Sequence, residues 1–224
     1  MVRILKLTIL GLIAAATLAA LGIFFTIMHD KAANPYVAYW ETHFHQPTRP
    51  FLAKALKTIP RANHAQQALI LAADVAQNDL SLVLEKGYAL TLVDQGLIYY
   101  DLFLPKGGEK SFILKDLDDP ALPQVSLVMA SFILPFYAPS AFQQAWQTLD
   151  GHLSKGGYFI GTFLGPRTTL FGAPKKDTMT YLTKDDVEGL FQGYEILLWE
   201  ARLIPWENPK GVEERIEVLA RKLS

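Results

Sequence analysis

The acid best placed to bind a ligand in this sequence is Asp94. The stretch Ala68 to Asp94 (ALILAADVAQNDLSLVLEKGYALTLVD) reads as a short apolar run, a turn, and an apolar-periodic helix carrying Leu80, Val83 and Leu84. Gly87 stops that helix, and a second apolar run ends on Asp94. In a β-α-β unit of this layout, the acid closing the second strand is placed to hydrogen-bond a ribose. The turn inside the unit nevertheless contains no glycine.

Other groups with chemical potential are weaker. His43 and His45, with Glu41 nearby, would share a face on an extended strand and suit zinc or copper. A further ligand would have to come from His29, His64 or Glu41, none with evident geometry, so exposed histidines are the expectation and no metal is assigned. The carboxylates Asp116, Asp118 and Asp119 precede Pro120 and read as a solvated acidic loop. Gly161-Thr162-Phe163-Leu164-Gly165 lacks the serine of a nucleophile elbow. With no cysteine in the chain, disulfides, thiolate zinc sites, iron–sulfur clusters and a cysteine nucleophile are excluded.

The elements that must position these groups alternate between strand and helix. After the first unit, Val125 to Phe136 reads as a strand and its exit loop, and Trp146 to Gly161 as a helix, a Lys-Gly-Gly turn and a strand. Thr183 is placed as a helix N-cap with Asp186 three residues on, a near capping box. Gly193 to Ile196 and Val218 to Lys222 read as the last two strands. Phe51 to Ile59 reads as an amphipathic helix that Pro60 ends.

On Glu85-Lys86-Gly87-Tyr88, Val93-Asp94, the fourth-strand segment and the Lys155-Gly156-Gly157 turn, the chain from about Trp40 to its C-terminus resembles class I S-adenosylmethionine-dependent methyltransferases. The resemblance implies a Rossmann-like, mostly parallel seven-stranded sheet with helices on both faces. It implies that the family's three cofactor-loop glycines fall on Ala73, Val75 and Gln77, and that the acid at the first strand's end falls on Leu71. It also implies that Asp94 meets the ribose and Asp116 the adenine amine; both also read as strand-terminal aspartates making local turns. The segment before the sheet would form a lid, and Gly165 to Thr180, with Leu170-Phe171 at its tip, a substrate-side loop.

Losing the glycines has physical weight. Glycine there accepts positive φ and lets backbone N–H groups approach the ligand. A β-branched Val75 at positive φ is a steric outlier, and Gln77 projects a long side chain toward the methionine moiety. The expectation is that no cofactor binds and that catalysis is lost. The alternative is an active S-adenosylmethionine-dependent enzyme whose remodelled loop uses Asp74, Gln77 or Asn78 as polar contacts. A third reading has the vestigial cleft take another small ligand.

The N-terminus carries a separate signal. Leu7 to Met28 is almost uninterrupted apolar sequence, longer than the roughly 20 residues a bilayer span needs. Arg3 and Lys6 precede it and only Lys31 follows closely, which favours the N-terminus inside. A cleavable signal peptide is the rival, but apolar residues continue past Ala20 to Ile27. Gly11, Ala15 and Ala19 form a small-residue stripe of the kind that lets membrane helices approach.

The sequence thus divides into a transmembrane anchor (1–30), a connecting or lid segment (31–61) and a methyltransferase-like Rossmann domain (62–224). Setting aside Arg3, Lys6 and Asp30 leaves 19 basic and 21 acidic residues, which argues against nucleic acid as a partner. The expectation is a single-pass protein of a bacterial-type inner membrane with a periplasmic domain, acting as a scaffold subunit among membrane-protein partners. An active enzyme would instead place the domain in the cytoplasm.

Overall fold

The computed structural model describes residues 49–62, 66–71, 77–93, 112–115, 117–131, 133–169, 177–207 and 210–224. The chain divides into two compact units, Met1–Thr42 and His43–Ser224, and every described residue belongs to the second. The apolar run Leu7 to Met28, the lid histidines and Leu170-Phe171 lie outside the described residues. No helix among the described residues is long and apolar enough to cross a membrane.

The order of elements is α1 (Pro50–Thr58), β1 (Gln67–Leu71), α2 (Gln77–Glu85), β2 (Ala89–Val93), β3 (Phe112–Lys115), β4 (Val125–Ala130), a 3-10 turn (Leu134–Phe136), α3 (Pro139–His152), β5 (Leu153–Leu164), α4 (Lys184–Leu190), β6 (Tyr194–Glu207) and β7 (Lys210–Lys222). These strands form one sheet in the order β3-β2-β1-β4-β5-β7-β6. From β3 to β5 neighbours run parallel. The longest ladders are antiparallel, β7 pairing with β5 over Tyr158–Leu164 and with β6 over Tyr194–Glu207. The sheet is therefore mixed: the strand pairs from β3 to β5 are parallel, as expected, and the two-residue connection between β6 and β7 makes a hairpin that adds the antiparallel pairs.

Local chemistry sets the element ends. Pro50 opens α1 at its first turn, where a missing N–H costs nothing. The helix buries Phe51, Leu52, Ala55 and Leu56 on one face, and Ile59, held extended before Pro60, closes it. Gly87 ends α2 at φ +94°, where a Cβ would stand 2.8 Å from the Ala62 carbonyl oxygen, so only glycine fits. At α4, Thr183 and Asp186 form a full capping box.

Two cores flank the sheet. On one face Phe51, Leu52 and Leu56 of α1 and Leu80 and Val83 of α2 pack with Ile70, Leu92, Met129, Ile160 and Leu219. On the other, Trp146 of α3 meets Phe159 at 5.0 Å and Phe191 at 5.2 Å between ring centroids, both edge-on. Edge-to-face geometry places the positive rim of one ring against the negative face of the next. β1 is buried from Ala68 to Leu71, as a central parallel strand must be.

Candidate functional site

In open α/β sheets ligands bind beyond the carboxyl ends of the strands, where the strand order reverses. Here that point lies between β1 and β4, which sit side by side with Ile70 opposite Met129. Among the described residues, the groups at these strand ends are Leu71, Met129 and Ala130, all buried, and then the buried Ser131. Leu71, 1% exposed, closes β1.

Between Leu71 and the first residue of α2, Gln77, the chain runs through Ala72-Ala73-Asp74-Val75-Ala76. The strand-turn-helix frame thus falls where the spacing predicts. Ala73 and Val75 themselves lie outside the described residues, and Gln77 occupies the helix start. Asp94 and Asp116 also lie outside them, but β2 and β3 pair with Val93 opposite Lys115, so each acid follows directly on one of two facing positions.

The first turn of α2 holds a carboxylate that sequence reasoning missed. Asp79, 1% exposed, accepts a hydrogen bond at 3.1 Å from Nη2 of Arg49, the N-cap residue of α1. A negative group is favoured at a helix N-terminus, and the guanidinium offsets the desolvation of burying it. Thirty positions separate the two residues, so no local spacing pointed to the pair.

Further polar groups gather where the β6–β7 hairpin runs past the end of β5. Gly165 N–H donates to the Glu214 carbonyl at 2.7 Å, and Thr169 N–H donates to the Val212 carbonyl at 2.7 Å, which carries the pairing beyond Leu164. Any Cβ on Gly165 would meet the Glu214 side chain at 2.3 Å. Arg167 clasps Glu214 through its backbone N–H at 2.9 Å and Nε at 2.8 Å. The hydrogen bonds from Arg167 hold the Glu214 carboxyl below its usual range.

Deeper in the hairpin, Glu213 is fully buried and accepts from Trp206 Nε1 at 3.0 Å and from Arg215 Nε. Glu217, 2% exposed, is bonded by Arg202. Each buried acid thus has a cation beside it, as burial requires. Sequence reasoning read only Val218 to Lys222 as this strand; the missed signal was the alternation of Glu213, Arg215 and Glu217, whose acids take donors from Trp206, Arg215 and Arg202.

Beyond β4, the loop is strapped down by the segment before α4. Thr180 N–H donates to the Pro135 carbonyl at 2.8 Å, its hydroxyl to the Tyr137 carbonyl at 2.7 Å, and Leu182 N–H to the Leu164 carbonyl at 2.9 Å. Burial pushes the Tyr181 phenol up, so it stays protonated at neutral pH and can donate but not act as a base. The acidic loop folds on itself, Asp119 accepting from Ala121 N–H at 2.7 Å, as the solvated-turn reading implies. Among the described residues no group of three His, Asp or Glu side chains could hold a metal ion.

Comparison with known proteins places the fold. No family model matches the chain, and no curated protein matches it. Among solved structures, it is similar to TehB from Haemophilus influenzae (16% identity, TM-score 0.60), over 80% of this chain and 64% of TehB. The chain therefore spans about two thirds of TehB's length. It is similar to 1,6-didemethyltoxoflavin-N1-methyltransferase from Burkholderia thailandensis, solved with bound S-adenosylhomocysteine (14%, TM-score 0.55), over 88% of this chain and 90% of that one. It is also similar to the N-methyltransferase NodS from Bradyrhizobium japonicum WM9 (12%, TM-score 0.57), over 79% and 99% respectively. At these identities the likeness establishes a Rossmann-like methyltransferase fold.

Proposed function

We propose that this chain is a methyltransferase-fold domain that has given up methyl transfer and serves as an interaction subunit, tethered to a membrane through residues 1–30. The observation that carries the reading is that five residues without a glycine connect β1 to α2; by the family resemblance Ala73, Val75 and Gln77 fall where glycines would let the backbone approach S-adenosylmethionine. The neighbouring strand end adds apolar Leu71 rather than an acceptor for the ligand's amine. The anchor gives the domain its location, and the rigid sheet gives it a surface.

A second reading has a specific observation in its favour. Val93 and Lys115 face each other in the β2–β3 ladder, and Asp94 and Asp116 each follow directly on one of these two facing positions, an arrangement that favours adenosine recognition. On that reading the domain is an active S-adenosylmethionine-dependent enzyme with Asp74, Gln77 or Asn78 as polar contacts, and faces the cytoplasm.

Calorimetric titration of the full chain with S-adenosylmethionine and S-adenosylhomocysteine separates the two. The expected result is no heat and no thermal shift at millimolar ligand. Micromolar binding would overturn the inactive reading and establish the second.

A further inference from the structure

Strand β6 closes one side of the sheet, and among the described residues nothing pairs with its outer edge. It is fourteen residues long. Long, apolar edge strands are templates for pairing with another chain, and monomeric proteins blunt them. Of the three large hydrophobic side chains that stand exposed among the described residues, two lie on this strand, Ile196 at 41% and Leu203 at 48%.

Pro205 reveals which backbone groups face outward. It sits opposite Val212 inside the β6–β7 ladder, and a proline is tolerated in a paired strand where its nitrogen faces away from the partner. Trp199, Ala201 and Leu203 alternate in step with Pro205, so their N–H and C=O groups also point to the free edge. Pro205 itself blunts only the far end of the strand.

We propose that this edge docks a second copy of the chain, the two β6 strands running antiparallel about a two-fold axis at Trp199. A β6–β7 register shift between Ile196 and Leu198 inserts one extra residue. Allowing for it, Ile196 falls opposite Ala201 of the second copy and Tyr194 opposite Leu203. Both exposed apolar side chains are then covered. Glu195 comes to face Arg202 of the second copy, so each two-fold contact carries an opposite-charge pair. Arg202 already pairs with Glu217 and, at 3.7 Å, with Glu200, yet its side chain is 42% exposed and retains outward donors. Moving the axis one position, to Glu200, would set like carboxylates face to face. Centring it on Trp199 also leaves Pro205 outside the ladder. The pairing does not depend on whether the cofactor binds.

The test is sedimentation equilibrium of the full chain in mild detergent. A dimer is expected at tens of micromolar, and Ala201→Pro, which removes an outward donor without touching the β7 pairing, weakens it at least tenfold with the far-ultraviolet spectrum unchanged. The chain has no cysteine, so Trp199→Cys introduces a single thiol. Facing residues of a hydrogen-bonded antiparallel pair lie about 5.5 Å apart between Cα atoms, within disulfide range, so oxidation links this variant into a dimer, whereas Leu203→Cys, far from its symmetry mate, stays unlinked. A monomer at all concentrations, a dimer unaffected by Ala201→Pro, or equal cross-linking of both cysteines would overturn the proposal. The last two are what an anchor-only association would give.

Discussion

The parallel half of the sheet and its antiparallel half have divided the polar work unequally. In the parallel half, β1 and β4 lie side by side at the strand ends where open α/β sheets bind ligands, and the described residues there are Leu71, Met129, Ala130 and Ser131, all buried. In the antiparallel half, Glu213, Glu214 and Glu217 are each matched with Arg215, Arg167 and Arg202 in a hairpin that overruns β5. Among the described residues, the ion pairs thus gather in the antiparallel half, where a long hairpin buries carboxylates that need cations, while the parallel strands bury apolar side chains.

The comparison breaks first at the shared core. Trp146 packs on Phe159, Phe163 and Phe191 beneath β5, the strand that joins the two halves. Trp146→Ala is expected to lose about 3–5 kcal/mol of stability, read by urea denaturation. If both halves lean on this cluster, the transition stays single and shifts; two separate transitions would show that the halves unfold independently. Next comes the buried pair that ties α1 to α2. Arg49→Met leaves Asp79 buried without its cation and is expected to cost about 2–4 kcal/mol, whereas Arg49→Met with Asp79→Leu recovers most of that loss. A double variant as unstable as the single one would mean that Asp79 matters through another contact.

How much of this was legible in the sequence depends on whether the cause is local. Gly87 as a helix stop and Thr183 with Asp186 as a capping box were readable because the partners lie within a few residues. The frame from Leu71 to Gln77 followed from apolar runs of fixed length. The length of β6 did not: only Gly193 to Ile196 reads as strand, and pairing with β7 carries it on through Pro205 to Glu207. The burial of Glu213 and Glu217 was not legible either, since it becomes tolerable only through Arg215, Trp206 and Arg202 once the hairpin forms. Of the site residues expected from the family pattern, Gln77 falls at the helix start, while Ala73, Val75, Asp94 and Asp116 lie outside the described residues. Asp79, the acid that the structure does place in the first turn of α2, was invisible because its partner is thirty positions away.

On the inactive reading proposed above, glycines in the β1–α2 connection should favour cofactor binding. Val75→Gly with Gln77→Gly restores two of the three family glycines, and the glycine at the helix start is expected to cost about 1 kcal/mol of stability. If the missing glycines alone keep the crevice empty, the double variant shows S-adenosylhomocysteine binding by calorimetry where the parent shows none. Continued silence would shift the cause to the apolar strand end at Leu71, and Leu71→Glu in the same background would be the next variant to titrate.

The smallest effect expected is in acid, and it belongs to the outward half. Hydrogen bonds from Thr183 hold Asp186 below its ordinary value of 3.8, and those from Arg167 hold Glu214 below 4.5. A carboxyl whose folded value is depressed contributes stability that is present above its unfolded value and is lost as pH falls through the folded one. Asp186 is exposed, and the Arg167 that pairs with the less accessible Glu214 is 65% exposed, so screening keeps each contribution small. Stability should therefore be flat from neutral pH down to about 4.5 and decline below it. Thr183→Ala removes the side-chain cap, costs about 0.5–1 kcal/mol at neutral pH and lessens the decline, because Asp186 then keeps only the backbone N–H of residue 183 as donor. Thermal melts of the parent and this variant at pH 7 and pH 3 check the sign: the gap between them must narrow in acid. A gap that widened would mean that the carboxylate of Asp186 opposes the fold, and that the capping box stabilises through the Thr183 hydroxyl alone.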